Sequence, residues 1–402
     1  MSTNLVGIEK IGIFIPKNYI DLAKLAEHRG IDPLKWTQGI GQEKMSVMNR
    51  DQDVVSMGAN ACLKILDDED RESIDQVVFA TESSLDFSKA SSTYIHNLLG
   101  IQPFARSYEI KQACYSATAA IQLACDYVRL RPDRKVLIIS SDISKYGLMS
   151  SGEATQGAGA LAILISSKPK VLRITEKSVS YTENSFDFWR PSYSDYPFVE
   201  GKFSIQLYKD AFINIVKEFN NRYPNTLENI KAVLFHLPFS KMGKKALESL
   251  KEALENNELD DSEEISKNLD QWFDNYVKSI IYGKDIGNIY TGSLYLGLLS
   301  LLMNGDLEDG SELALFSYGS GTVAEMFTGV LSDNYKDFLY REDIESLLAR
   351  REELSVEEYE DNYFQDTPTS KKDDLYNEAK YQESGFYLER IEDDKRYYNF
   401  RK

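Results

Sequence analysis

Three cysteines and three histidines in 402 residues leave little material for a metal cluster, a disulfide framework or imidazole chemistry. Cys62, Cys114 and Cys125 fall in no metal-like spacing, and no metal is expected. Cys114 and Cys125, on one helix, would lie roughly 16 Å apart at 1.5 Å per residue, too far for a disulfide. No apolar run reaches the ~18 residues that cross a bilayer. The start, Met1-Ser2-Thr3-Asn4-Leu5-Val6, has no basic region leading into an apolar stretch, so no secretory signal is expected and the cytoplasm is the default. Positive charge is also scarce: 46 Lys and Arg face 64 Asp and Glu, a net charge of −18. That excess argues against nucleic-acid and anionic-membrane partners, and a polyanionic ligand would need a local basic patch.

What is present describes an ordinary globular chain, 42% hydrophobic and 27% charged, too long for a single core. Strand-like runs alternate with helix-like ones. Val6 to Ile15 reads as a strand, Asp21 to His28 as a capped helix, Gly39-Ile40-Gly41 as a loop, and Val54 to Leu66 as a helix opened by Asp53. Gln76 to Thr81, Ser107 to Ile110, Lys135 to Ser140 and Ala160 to Ile165 are short strands. Ser91 to Leu99 and Ala117 to Val128 are helices. The pattern restarts with strands at Val171 to Glu183 and Lys231 to Leu237. Helices follow at Phe203 to Phe219, Lys241 to Leu254, around Trp272 and at Thr291 to Met303. An acidic loop covers Glu255 to Glu264, and two strands flank Gly319-Ser320-Gly321. Several strands are apolar at every position, which indicates sheets covered on both faces. Two internal echoes suggest duplicated halves: Gly157 to Leu164 with Gly310 to Ser317, and the loop-to-helix passage at Cys114 with that at Asn288. From about Ser332 the chain is charged and tyrosine-rich, and its aromatics predict an ordered cap with a terminal hairpin over 386–400.

Cys114 sits where a strand hands over to a helix, and unpaired amides at a helix start favour a thiolate. A buried structural cysteine is the alternative there, and the expected state of Cys62 and Cys125. Glu82, His236 and Asn288 also end predicted strands, where open α/β sheets place ligands. A carboxylate at an apolar strand end is either desolvated, with a raised pKa suited to proton transfer, or a helix cap. His236, following Ala232-Val233-Leu234-Phe235, has the context best suited to acid–base work among the three histidines. Lys241, Lys244 and Lys245 at a helix start supply the basic patch a phosphorylated ligand would need.

These stretches together resemble the 3-hydroxy-3-methylglutaryl-coenzyme A synthase family in its bacterial form. The resemblance is carried by Gly39-Ile40-Gly41-Gln42, Thr81-Glu82-Ser83, Ala113-Cys114-Tyr115, Gly152 to Ala160 and Asp187-Phe188-Trp189-Arg190-Pro191. It continues through Gly201-Lys202-Phe203-Ser204, Phe235 to Met242, Gly287 to Ser293 and Ser317 to Gly321. It implies an α/β thiolase-like fold, duplicated halves in a five-layer αβαβα arrangement, with residues 1–170 carrying Glu82 and Cys114. Residues 171–402 would then carry His236 and Asn288. It implies a homodimer and condensation of acetyl-CoA with acetoacetyl-CoA, as in the mevalonate route to isoprenoids, with no metal or redox cofactor. Cys114 would carry the acetyl group, Glu82 would remove its methyl proton, and His236 would hold and polarise the acceptor. Asn288 and Ser320 would bind the thioesters, Lys241 and Lys245 would meet the CoA phosphates or approach its pantetheine arm, and Tyr146, Thr155, Asp187 and Arg190 would line or support the site. Ala154 departs from the proline frequent in the family, which affects only loop stiffness. The rivals are a ketoacyl synthase, disfavoured by Glu82; a synthase using carrier-protein-bound ketones; a silent scaffold; and a thioester hydrolase.

Overall fold

The computed structural model describes residues 5–259, 262–364, 375–376 and 384–402. Nine strands form one hydrogen-bonded sheet: β1 (Gly7–Phe14), β2 (Ile74–Ala80), β3 (Arg106–Ile110), β4 (Lys135–Ser144), β5 (Gly157–Ser166), β6 (Leu172–Thr182), β7 (Ile230–Phe235), β8 (Glu312–Gly319) and β9 (Val323–Leu331). Their spatial order is β7-β8-β9-β6-β1-β5-β4-β2-β3. In the first half β2 pairs parallel with β4, β4 antiparallel with β5, and β5 antiparallel with β1. In the second half β7 pairs parallel with β8, β8 antiparallel with β9, and β9 antiparallel with β6. The two series are the same, with β3 as an extra parallel edge on the first. Along the sheet, among the described residues, the strand register joins them at two pairs, Gly7 with Arg173 and Ile8 with Leu172. A Cβ on Gly7 would lie 2.1 Å from the Leu172 carbonyl oxygen, so this junction needs glycine for close approach.

This topology corrects one of the two echoes. Gly157 to Leu164 lies on β5, whose counterpart by position is β9, whereas Gly310 to Ser317 runs into β8. Both segments are apolar because each is covered on both faces, which makes unrelated strands look alike. The other echo joins helices at equivalent places, α3 (Ser116–Leu130) between β3 and β4 and α7 (Ser293–Asn304) between β7 and β8. The intervening helices are α4 (Gly201–Arg222), α5 (Met242–Glu255) and α6 (Leu269–Ser279). α1 (Val54–Cys62) and α2 (Ser91–Leu98) precede them.

The layers follow from which residues pack together. α1 and α2 cover one face of the first half-sheet. α3 and α7 share a central core with strands of both halves. α4, α5 and α6 cover the outer face of the second half-sheet. α7 is apolar all round and buried from Ser293 to Met303, as a helix between two sheets must be. Cys62 and Cys125 are buried in these cores, and burial pushes both thiols up. Helix α1 stops at Cys62, short of Leu66. Its start is fixed by Asp53, which accepts from the Val55 and Ser56 amides while Ser56 Oγ accepts from Asp53 N.

Other local expectations also change. Lys35–Ile40 forms a π-helical turn rather than a loop, closed by Gly41 at φ +79°. Inside the acidic stretch, Ser262–Ser266 is a short helix, while residues 260–261 lie outside the described set. In the tail, Arg341–Ala349 and Val356–Phe364 are helical and Gly385–Glu392 pairs with Lys395–Arg401 as a hairpin. The tail between 365–374 and 377–383 lies outside the described residues. Asn60 holds the hairpin at Phe386, donating to its carbonyl and accepting from its amide, and Asp53 accepts from Tyr398 at 2.7 Å.

Candidate active site

After β3 the chain makes a tight loop through Gln112, Ala113 and Cys114 before α3 begins at Ser116. Ala113 sits at φ +45°, a conformation that side chains disfavour and local bonds must hold. Ser116 Oγ supplies two of them, accepting from Gln112 N at 2.6 Å and donating to Ala113 O at 2.8 Å. The Gly319-Ser320-Gly321 turn packs directly on this loop. A Cβ on Gly319 would meet Gln112 O at 2.6 Å and Tyr115 Cβ at 2.7 Å, and Gly321 adopts φ +117°. Gly319→Ala should therefore lower stability by about 1–3 kcal/mol and reduce turnover, read by thermal melts and steady-state rates.

Cys114 Sγ donates to Glu82 Oε1 at 2.8 Å. Glu82 lies two residues beyond the end of β2, and its loop is held by one buried carboxylate that sequence reading missed, Asp142 on β4. Asp142 Oδ1 accepts from Thr81 Oγ1, Glu82 N, Ser83 N and Ser83 Oγ at 2.8–3.1 Å. Its Oδ2 accepts from Thr291 Oγ1 at 2.6 Å, which ties the Glu82 loop to the turn after Asn288. The available signal was an aspartate near the end of a continuous apolar strand, the same kind of place as Glu82. Burial, then the Asp142 charge, raises Glu82 to about 8. Burial, then Glu82, also pushes the Cys114 thiol well up. The expectation of a resting thiolate is thus corrected. Cys114 lies two positions ahead of the first helical residue, and buried carboxylates outweigh any amide dipole there.

His236 follows β7 and is 2% exposed. Its amide donates to Phe316 O at 2.8 Å and its carbonyl accepts from Tyr208 Oη at 2.7 Å. Burial lowers the imidazole to about 3, so the ring is neutral. Among the described residues its Nδ1 has no hydrogen-bond partner.

Cys114 and His236 line one cavity of about 750 Å³ together with Tyr146, Thr155, Lys245, Asn288 and Ser320. Asn288 Oδ1 accepts from Tyr290 N at 2.9 Å and Ser293 Oγ at 2.8 Å, fixing the amide before α7. Asp187 does not line the cavity. It is fully buried and accepts from Tyr318 Oη and Gly321 N, both at 2.9 Å, so it supports the Ser320 turn. Arg190 reaches the Glu82 carbonyl at 2.5 Å. The lysine patch splits. Lys245 lines the cavity, Lys241 caps α5 with its amide on Ile40 O, and Lys244 pairs with Glu248 in solvent. Trp36, Phe188, Lys202 and Tyr290 are among the further wall residues, and none was given a role from sequence.

A thiol hydrogen-bonded to a carboxyl, beside a neutral imidazole in a cavity shared by two repeated α/β halves, defines a thiolase-like condensing acyltransferase. The profile of the hydroxymethylglutaryl-coenzyme A synthase N-terminal region matches residues 2–170, and that of its C-terminal region matches 174–278 and 248–401. The chain is 47% identical over 377 residues to hydroxymethylglutaryl-CoA synthase of Enterococcus faecalis, covering 94% of this chain and 96% of that protein. It is 30% identical over 373 residues to a polyketide-biosynthesis 3-hydroxy-3-methylglutaryl-ACP synthase of Bacillus subtilis (strain 168), covering 88% and 87%. A crystal structure of HMG-CoA synthase complexed with CoA superposes with a TM-score of 0.91 at 42% identity, covering 98% of this chain and 100% of that one. The chain belongs to the hydroxymethylglutaryl-CoA synthase family and is a transferase that condenses acetyl-CoA with acetoacetyl-CoA.

Proposed function

We propose that this condensation runs through an acetyl thioester on Cys114, with Glu82 moving the protons and His236 holding the acceptor. The observation that carries the reading is the 2.8 Å contact between Cys114 Sγ and Glu82 Oε1 at a cavity that also holds His236. Cys114 gives its proton to Glu82 as sulfur attacks the acetyl carbonyl, and CoA leaves with that proton. Glu82, again a carboxylate, takes a methyl proton from acetyl-Cys114. The enolate carbon bonds to the ketone carbon of acetoacetyl-CoA, and Glu82 returns the proton to the new alkoxide. Water then adds to the Cys114 thioester carbonyl and the C–S bond breaks; one water proton returns to sulfur as the thiol, the other leaves to solvent, and the product departs as a free carboxylate, CoA-linked at its other end. Each step balances with side chains of this chain, and no cofactor is assigned.

An enolate needs dipoles at its oxygen, and the amides of Cys114 and Ser320 are assigned that task. A neutral His236 polarises the ketone by donating an N–H, which an imidazole can do without carrying charge. His236→Ala should leave acetyl-enzyme formation intact and lower condensation by about a hundredfold, read by comparing burst amplitude with product rate. Tyr146, Thr155 and Asn288 would line the acyl region, Asp187 and Arg190 would hold its walls, and Lys245, with Lys241 behind it, would face the CoA phosphates.

CoA rather than a carrier protein is assigned as the acceptor's handle. A surface with net charge −18 repels an acidic carrier, and similarity is greater to the CoA enzyme than to the ACP enzyme. We read the two pairing series as halves 1–170 and 171–402, and the protein as a homodimer through the β3 edge. Phe104, two residues before β3, is 90% exposed. The cytoplasm and mevalonate formation are the proposed setting; among the described residues no helix is long and apolar enough to cross a membrane. The test is incubation with acetyl-CoA and acetoacetyl-CoA and mass analysis for the six-carbon acyl-CoA. Its absence, with only acetate released, would make the protein a hydrolase.

A further inference from the structure

We propose that Tyr363, on the C-terminal helix Val356–Phe364, is a positioning residue that holds two walls of the substrate cavity in register. The inference rests on the reading of that cavity as the acyl-CoA site. One wall is the loop after β4, which contributes Tyr146, Ser150, Ser151 and Thr155. The other is the short hairpin pairing Phe188–Trp189 with Phe198–Val199. Neither wall belongs to the main sheet, so neither is held by its ladder.

Tyr363 touches both. Its hydroxyl accepts from Gly147 N at 3.0 Å and donates to Gln156 Oε1 at 3.4 Å, and the Tyr196 ring of the hairpin lies over the same point, 3.9 Å from where a Cβ on Gly147 would sit. Gln156 passes the constraint on: its Oε1 accepts from Tyr146 N at 2.7 Å and its Nε2 donates to Tyr359 Oη at 3.0 Å. A second joint anchors the same helix. Arg29 donates to Glu153 at 2.9 and 3.1 Å and also to Glu360, and Glu153 in turn accepts from Met149 N at 3.0 Å. The Arg29 and Glu153 side chains are both nearly fully buried, and through Glu360 the same guanidinium ties the helix to the loop. A segment far from Cys114 in sequence thereby sets where Tyr146 and the hairpin face the reacting groups.

The consequence concerns partition. Acetyl-Cys114 can, as its enolate, attack the ketone carbon of the acceptor, or it can react with water, which bonds to the acetyl carbon, breaks the thioester and returns a proton to sulfur. Acetylation needs little orientation of the small acetyl group. Condensation needs the ketone of the longer acceptor aimed and water kept out. Loosened walls should favour hydrolysis.

The test compares the full chain with Tyr363→Phe, which removes one hydroxyl. Labelled acetyl-CoA with acetoacetyl-CoA gives the ratio of free acetate to six-carbon product, and hydrogen exchange follows peptides over 145–156 and 186–199. The expected result is an unchanged acetyl-enzyme burst, a five- to tenfold rise in the acetate fraction, on the order of one lost hydrogen bond, and faster exchange in both peptides but not in 385–401. An unchanged ratio overturns the proposal, including the case in which only Tm falls, since a merely structural role would move stability alone. If the unsubstituted protein makes no six-carbon product, the reading of the cavity fails, while the exchange data still judge the pin: equal rates in both proteins remove it.

Discussion

Cys114→Ala is expected to abolish the burst of labelled acetyl-enzyme and to lower condensation by about a thousandfold or more. The expectation follows from the loop. Ala113 at φ +45°, the Ser116 hydroxyl and the Gly319 contact aim one side-chain position into the cavity, and alanine there leaves the fold and the walls in place. Rapid quench with radiolabelled acetyl-CoA measures it. A full-amplitude burst in the variant would end the assignment of the nucleophile.

Glu82→Ala should separate the two half-reactions. Acetylation should continue more slowly, to about one acetyl group per chain, while condensation falls by about a thousandfold for want of a base at the methyl carbon. The wild-type pH profile should carry the same signature. Burial and Asp142 raise this carboxyl to about 8, so at neutral pH it is protonated more of the time than an ordinary glutamate. The base form is gained as pH rises through that value. The kcat/KM for acetyl-CoA should therefore climb between about pH 7 and 9 and level off above, and Glu82→Gln should lose the rising limb. A flat wild-type profile would place the proton transfer elsewhere.

Much of the architecture was legible because it is written locally. Asp53 with Ser56 three residues on is a capping box, and α7 announces its burial by being apolar on every side. The apolar strands were equally plain, yet the same uniformity produced the false equivalence of β5 and β8, since full burial erases the pattern that distinguishes one strand from another. Glu82, Cys114, His236 and Asn288 could be picked out because each follows a strand end or opens a helix. Asp142 could not be ranked above other aspartates, because its importance lies in groups 50 to 150 residues away that only the fold gathers around it.

The amino-acid order alone determined an alternating α/β chain of net charge −18, with a cysteine, a glutamate and a histidine near strand ends. Tertiary structure decided the protonation of those groups and the company they keep. It put a carboxyl against the thiol, so both are driven toward their neutral forms, and it buried the imidazole so that it stays uncharged. It also split the lysine patch and brought the C-terminal helix onto the cavity walls. Charge state depends on burial and on neighbours distant in sequence, and neither is fixed until the chain has folded.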